Sequence, residues 1–124
     1  MGGSLSCDND RAVKGKAVMI AKTPAAPYWA VVFTAVFSGR EEAEYFEMAE
    51  EMVRLAHGMP GFLGYESAQG EGGLEITVSY WESEEAIRAW KRNAEHLAAQ
   101  KRGREAFYSA YQIRVAKVER AYGF

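Results

Sequence analysis

One cysteine, two histidines and three prolines are all that these 124 residues hold of each type, and the scarcity removes several chemistries at once. Cys7 is the sole thiol, so neither an internal disulfide nor a cysteine metal cluster can form, which points to a reducing cytoplasm. His57 and His96 belong to no group with metal-ligand spacing, and no protein-bound metal is expected. An excess of one charge is missing as well: 15 Lys and Arg stand against 17 Asp and Glu, with the two signs interspersed. That leaves no electrostatic footprint for nucleic acid or an anionic membrane, and neither is an expected partner.

Long apolar runs are absent too. Nothing approaches the roughly 18 residues of a membrane span, and the first residues lack the hydrophobic middle of a signal peptide, so a soluble cytoplasmic protein is expected. No serine has a glycine elbow around it, and Gly70, Gly72 and Gly73 lie between two expected strands rather than before a helix. Covalent catalysis by a Ser-His-Asp or Cys-His set drops out, and so does a phosphate loop.

What is present is a chain whose apolar fraction of 48% can fill one core. Residues 1–18, rich in Gly, Ser, Asp, Asn and Lys, are expected to be a disordered leader, with Met19 as the native start and 19–124 as a single domain. Tyr28 to Phe37 has almost no polar residue and reads as a strand covered on both faces. Ser38 and Glu41 have capping-box spacing, after which Phe46, Ala49, Val53 and Ala56 recur at helical intervals until His57 and Gly58. Pro60 and Gly61 predict a turn, Phe62 to Gln69 a second strand, Gly70 to Gly73 a hairpin loop and Leu74 to Trp81 a third strand. Ser83 suits the N-cap of a second helix with the apolar stripe Ile87, Trp90, Ala94 and Leu97, and Tyr111 to Tyr122 reads as the last strand.

Strand, helix, strand, strand, helix, strand makes an α+β, ferredoxin-like βαββαβ layout: an antiparallel four-stranded sheet with two helices on one face. A chain this short has helices for one side only. The other face of the doubly apolar first strand is therefore expected to meet a second subunit.

Candidate site residues lie mainly on the second helix. Asn93 and His96, one turn apart, set an amide and an imidazole along one edge; the competing reading of His96 is a solvated histidine on a charged helix. Trp90 belongs to the core by its stripe, yet a buried indole N–H needs a partner and often borders a cavity. Phe33, Tyr65 and Trp81, with further aromatics, suit either the lining of a space for a flat apolar ligand or a dimer core. His57, at a helix C-terminus, is read as a dipole partner.

Three stretches carry a family resemblance: Pro-Gly-Phe-Leu-Gly at Pro60 to Gly64, Ile-Thr-Val-Ser-Tyr-Trp-Glu-Ser at Ile76 to Ser83, and Ala-Trp-Lys-Arg-Asn-Ala-Glu-His at Ala89 to His96. They resemble the antibiotic biosynthesis monooxygenase domain proteins of the dimeric α/β barrel superfamily, over about Met19 to Phe124. The resemblance implies a homodimer packed sheet against sheet, with a pocket between sheet and helices in each subunit. It also implies oxidation of a planar aromatic substrate by dioxygen without a bound cofactor. On that reading Trp90, Asn93 and His96 form the catalytic group, with His96 as general base and Asn93 as hydrogen-bond donor to the oxyanion. Phe33, Tyr65, Trp81 and Gln100 would then contact the substrate. Other members of the family degrade haem with a first-strand Asn, a helix Trp and an iron-binding His. Here Trp90 matches the Trp, but Gln100 stands at the ligand position and Val31 to Ala35 hold no Asn. Haem degradation would therefore need altered ligation, through His96. A non-enzymatic ligand-binding or regulatory module is the third reading.

Overall fold

The computed structural model describes residues 20–101 and 107–124, the side chains of 99–101 excepted; the expected leader at 1–18 lies outside the described residues. Its elements are β1 (Tyr28–Phe37), α1 (Glu42–His57), β2 (Phe62–Gln69), a 3-10 turn (Glu71–Gly73), β3 (Leu74–Trp81), α2 (Glu84–Lys101) and β4 (Tyr108–Val118). The strands form one sheet in the order β2-β3-β1-β4, with every neighbouring pair antiparallel. This is the expected βαββαβ fold.

The most apolar strand takes a central place, because β1 pairs with β3 on one side and β4 on the other. Its odd-numbered residues Trp29 to Phe37 share a face with Trp81, which pairs with Trp29. That is the helix side, since Trp81 is fully buried in a cluster with Val31, Ala56 of α1 and Ile87 of α2, against which Phe62 and Trp90 pack. The Trp81 indole N–H donates to Ser79 Oγ at 2.9 Å, so this buried donor is satisfied. A second cluster joins Tyr45, Met48 and Phe107, with Phe37, Met52 and Tyr108 against it.

On the opposite face, Tyr28 and Ala30 are buried, and the segment before β1 runs against this end of the sheet. The Ala21 N–H donates to Glu66 Oε2 at 3.0 Å and Thr23 Oγ1 donates to the Tyr28 hydroxyl at 2.9 Å. Farther along the same face Leu74 and Ile76 remain 38% and 39% exposed.

Three local expectations are corrected. Ser38 and Glu41 form no capping box: Ser38 Oγ accepts from the Arg40 N–H at 3.1 Å, Glu41 is left-handed at φ 54°, and no side chain caps the helix. The serine is drawn away because its own N–H donates to the Phe107 carbonyl at 2.7 Å, which ties it to the sheet end. The buried face of α1 is Tyr45, Met48 and Ala56, whereas Phe46 is 47% exposed. The sheet selects that face, since Tyr45 stacks on Phe37 at 4.2 Å. The last strand runs Tyr108–Val118 rather than to Tyr122, because β1 ends there: Tyr28 pairs with Val118 and Phe37 with Tyr108. By contrast, Ser83 caps α2 as expected, its Oγ accepting from the Ala86 N–H at 3.1 Å.

Candidate functional site

Every second residue of β3 from Glu75 to Trp81 faces the helices, and three of these four are polar. Ser79 takes the Trp81 indole. Thr77 Oγ1 lies 2.9 Å from Ser67 Oγ on β2 and 3.5 Å from Glu75 Oε2. The other carboxylate oxygen, Oε1, accepts from the Tyr45 hydroxyl of α1. A polar file thus runs beneath the helix layer and ends on a carboxyl group.

Aromatic rings enclose that end. Around Tyr45 stand Phe37 at 4.2 Å, Phe107 at 5.8 Å and Tyr108 at 5.9 Å between ring centroids. Burial pushes the Glu75 carboxyl above its ordinary range, although the hydrogen bonds from Tyr45 and Thr77 oppose the shift. Burial, followed by the charge of Glu75, also raises the Tyr45 and Tyr108 phenols. Both phenols therefore stay protonated at neutral pH, while the carboxyl titrates closer to neutrality than a solvated one.

Beside this cluster lies an uncovered strip. Tyr111, Ile113 and Val115 of β4 pair with Ala35, Phe33 and Val31, which puts them on the helix side, yet they remain 36%, 46% and 47% exposed. Phe33 lies 5.5 Å from the Tyr108 ring and 5.9 Å from the Tyr111 ring, so it joins the strip to the Glu75 cluster. Edge strand β4 outruns the cover that the two helices provide.

The residues singled out from the sequence fall in several places. Trp90 stacks on Trp81 at 5.7 Å and 29°, within the core. Asn93 and His96 come together on the flank of α2, lining an open cleft of about 430 Å³ with Leu97 and, from α1, Glu51, Arg54 and Leu55. Asn93 is exposed; its amide donates to the Ala89 carbonyl at 3.1 Å and to Met59 Sδ at 3.6 Å. Tyr65 lies under the end of α1, 6.2 Å from the His57 ring, with its phenol raised by burial. The backbone of Gln100 belongs to α2, and its side chain lies outside the described residues. Phe33 is in the strip. The structure therefore joins Trp81 to Trp90 and Asn93 to His96, and sets Phe33 and Tyr65 apart from both pairs.

Sequence reasoning missed Tyr45, Glu75, Tyr108 and Tyr111. One signal was available: Glu75, Thr77 and Ser79 alternate in phase with Trp81, which is unusual for a face that a tryptophan buries. Among the described residues no group of three or more His, Cys, Asp and Glu side chains could hold a metal, and no helix is long and apolar enough to cross a membrane.

The sequence pattern of the antibiotic biosynthesis monooxygenases matches residues 28–102. The chain belongs to this family. Protein YqjZ of Bacillus subtilis (strain 168), itself uncharacterised, is 50% identical over 101 residues, which is 82% of this chain and 88% of that protein. The jasmonate monooxygenase of Pyricularia oryzae is 26% identical over 94 residues; the match covers 70% of this chain and 43% of that enzyme. Among solved structures, the cofactor-independent oxygenase SnoaB of Streptomyces nogalater superposes with a TM-score of 0.63 at 13% identity, covering 77% of this chain and 97% of SnoaB. At that identity the likeness is one of fold. The antibiotic biosynthesis monooxygenase match spans everything from β1 to the end of α2, and so includes both the Asn93 cleft and the Glu75 file.

Proposed function

We propose that this chain is a homodimeric, cytoplasmic monooxygenase that oxidises a planar aromatic substrate with dioxygen and without a bound cofactor. The observation that carries the reading is the uncovered strip of Phe33, Tyr111, Ile113 and Val115 beside a half-buried carboxyl group. Apolar and aromatic side chains suit the face of a flat ring system, and a titratable group at the edge suits removal of a proton from it. Family membership supports dioxygen chemistry, and the cofactor-independent oxygenase among the fold neighbours supports electrons drawn from the substrate itself. Leu74 and Ile76, exposed on the face away from the helices, support pairing with a second copy there.

Haem fits poorly. Trp90 points into the core stack while His96 lines the open cleft on the helix flank, so the two do not converge on one face of a macrocycle. A second reading places the chemistry in that cleft, with His96 as base, and the pairing of Asn93 and His96 around about 430 Å³ favours it. Against an oxyanion role for Asn93 stands its amide group, which is already engaged by Ala89 and Met59.

Oxygen uptake with a panel of polycyclic phenols tests the activity, and a matching ketone or quinone product is expected. A ligand that stabilises the fold yet is recovered unchanged after aerobic incubation would instead mark a sensing module. Light scattering at micromolar concentration is expected to give the mass of a dimer.

A further inference from the structure

Glu75 is the one carboxyl group among the helix-facing positions of β3. It stands beneath a helix, among aromatic rings, on a strand position whose neighbours on the same face are neutral. Burying a carboxylate costs stability unless its charge is met. Among the described residues, the groups that face it are the phenols of Tyr45 on α1 and Tyr108 on β4 and the Thr77 hydroxyl of its own strand. All are neutral. A group kept ionisable at such a cost is a candidate for proton transfer.

Its two oxygens differ in what they face. Oε1 is held by the Tyr45 hydroxyl, which fixes the carboxyl plane. Oε2 lies on the Thr77 side, at 3.5 Å. Glu75 pairs directly with Ala35, and Ala35 with Tyr111, so the strand position that carries the carboxyl shares a row with one end of the uncovered strip. Tyr108, between the rings of Tyr45 and Phe33, forms the boundary between carboxyl and strip.

We propose that Glu75 is the general base of this enzyme, taking a proton from an acidic C–H of a polycyclic aromatic substrate seated on Phe33, Tyr111, Ile113 and Val115, with Tyr45 as the positioning residue that holds its carboxylate. The assignment rests on the monooxygenase reading for the dioxygen step that follows. For a ring methylene the step balances. Glu75 takes one proton, and the C–H electron pair stays in the ring system as a carbanion. That carbanion reduces dioxygen and forms a C–O bond, and the peroxide so made recovers the proton from Glu75. Loss of the second C–H proton with O–O cleavage then gives a ketone and one water. His96 has no part in this route; it lines the cleft on the flank of α2, whose walls include neither Glu75 nor the strip.

The test uses the full chain and anthrone, a planar tricycle with an acidic methylene. Proton transfer is read without dioxygen, as exchange of the methylene protons for deuterium by NMR; oxygenation is read separately with an oxygen electrode. Wild type is expected to accelerate both. Glu75→Gln, isosteric and still able to accept from Tyr45, is expected to lose roughly 100-fold or more of the exchange rate. Tyr45→Phe removes a hydrogen bond that holds the Glu75 pKa down, so the acidic limb of its exchange-rate profile is expected to move to higher pH, a change that mere loosening of the site does not produce. Exchange lost in His96→Ala and kept in Glu75→Gln would place the base in the cleft and overturn the assignment. Wild-type exchange by Glu75→Gln overturns the assignment, and so does a wild-type protein that exchanges nothing. Exchange without oxygen uptake keeps Glu75 as the base and overturns the monooxygenase reading alone.

Discussion

Trp90 lies flat against Trp81, with ring centroids 5.7 Å apart and planes 29° from parallel, and so joins the middle of α2 to the end of β3. Trp81 is fully buried, and its indole N–H is satisfied by Ser79. The stack forms the wall between the core and the flank that carries Asn93 and His96. Trp81→Ala is expected to cost about 3 to 5 kcal/mol, and Trp90→Ala, half-buried, about 2 to 3 kcal/mol. Because the two rings touch, the double variant is expected to lose less than the sum of the single losses, as urea unfolding would measure.

Glu75 links stability to pH with a definite sign. Burial raises its folded pKa above the unfolded value, so its favourable contribution is fully present below the unfolded pKa of about 4.3 and is lost as pH rises through the folded one. Glu75→Gln has no such dependence. Wild type is therefore expected to lose ground to the variant as pH rises above about 4. Urea midpoints that stay equal for the two proteins as pH rises would contradict a half-buried carboxyl with a raised pKa.

Tyr80 stands on the opposite face and tests a different pair. Burial, then the hydrogen bond it donates to Glu66 at 2.8 Å, pushes its phenol up to about 12. Its folded pKa is raised, so the contribution holds below about 10 and disappears as pH climbs through the folded value. Glu66→Gln is expected to bring the Tyr80 titration partway back toward 10, as followed by tyrosinate absorbance. The return is incomplete because burial remains.

Gly73 closes the turn before β3 at φ +85°, and a Cβ there would lie 2.7 Å from the Phe37 carbonyl oxygen. Backbone oxygen cannot swing aside as a flexible side chain can. Gly73→Ala is expected to cost about 1 to 3 kcal/mol and to loosen the Phe37 stack on Tyr45. Thermal unfolding gives the first effect, and near-ultraviolet circular dichroism the second.

The sequence by itself determined the elements. β1, β2 and β3 begin and end where their apolar runs meet Pro, Gly and Ser, and α2 starts where Ser83 offers its hydroxyl, because turn geometry and capping depend on near neighbours. Element order then left few topologies, and the ferredoxin-like one followed. Tertiary structure decided which side of each element is buried. Phe46 and Tyr45 are adjacent aromatic residues of α1, and the sheet beneath, through Phe37, selects Tyr45 for the buried face. It also decided where β4 ends, since an edge strand stops with its partner. Above all it decided the environment of Glu75, which reads as an ordinary solvent-facing residue between Leu74 and Ile76. Its partner Tyr45 is 30 positions away on another element. Desolvation and hydrogen bonding act through space, so the group whose chemistry is most altered here has no local signature beyond the phase it shares with Trp81.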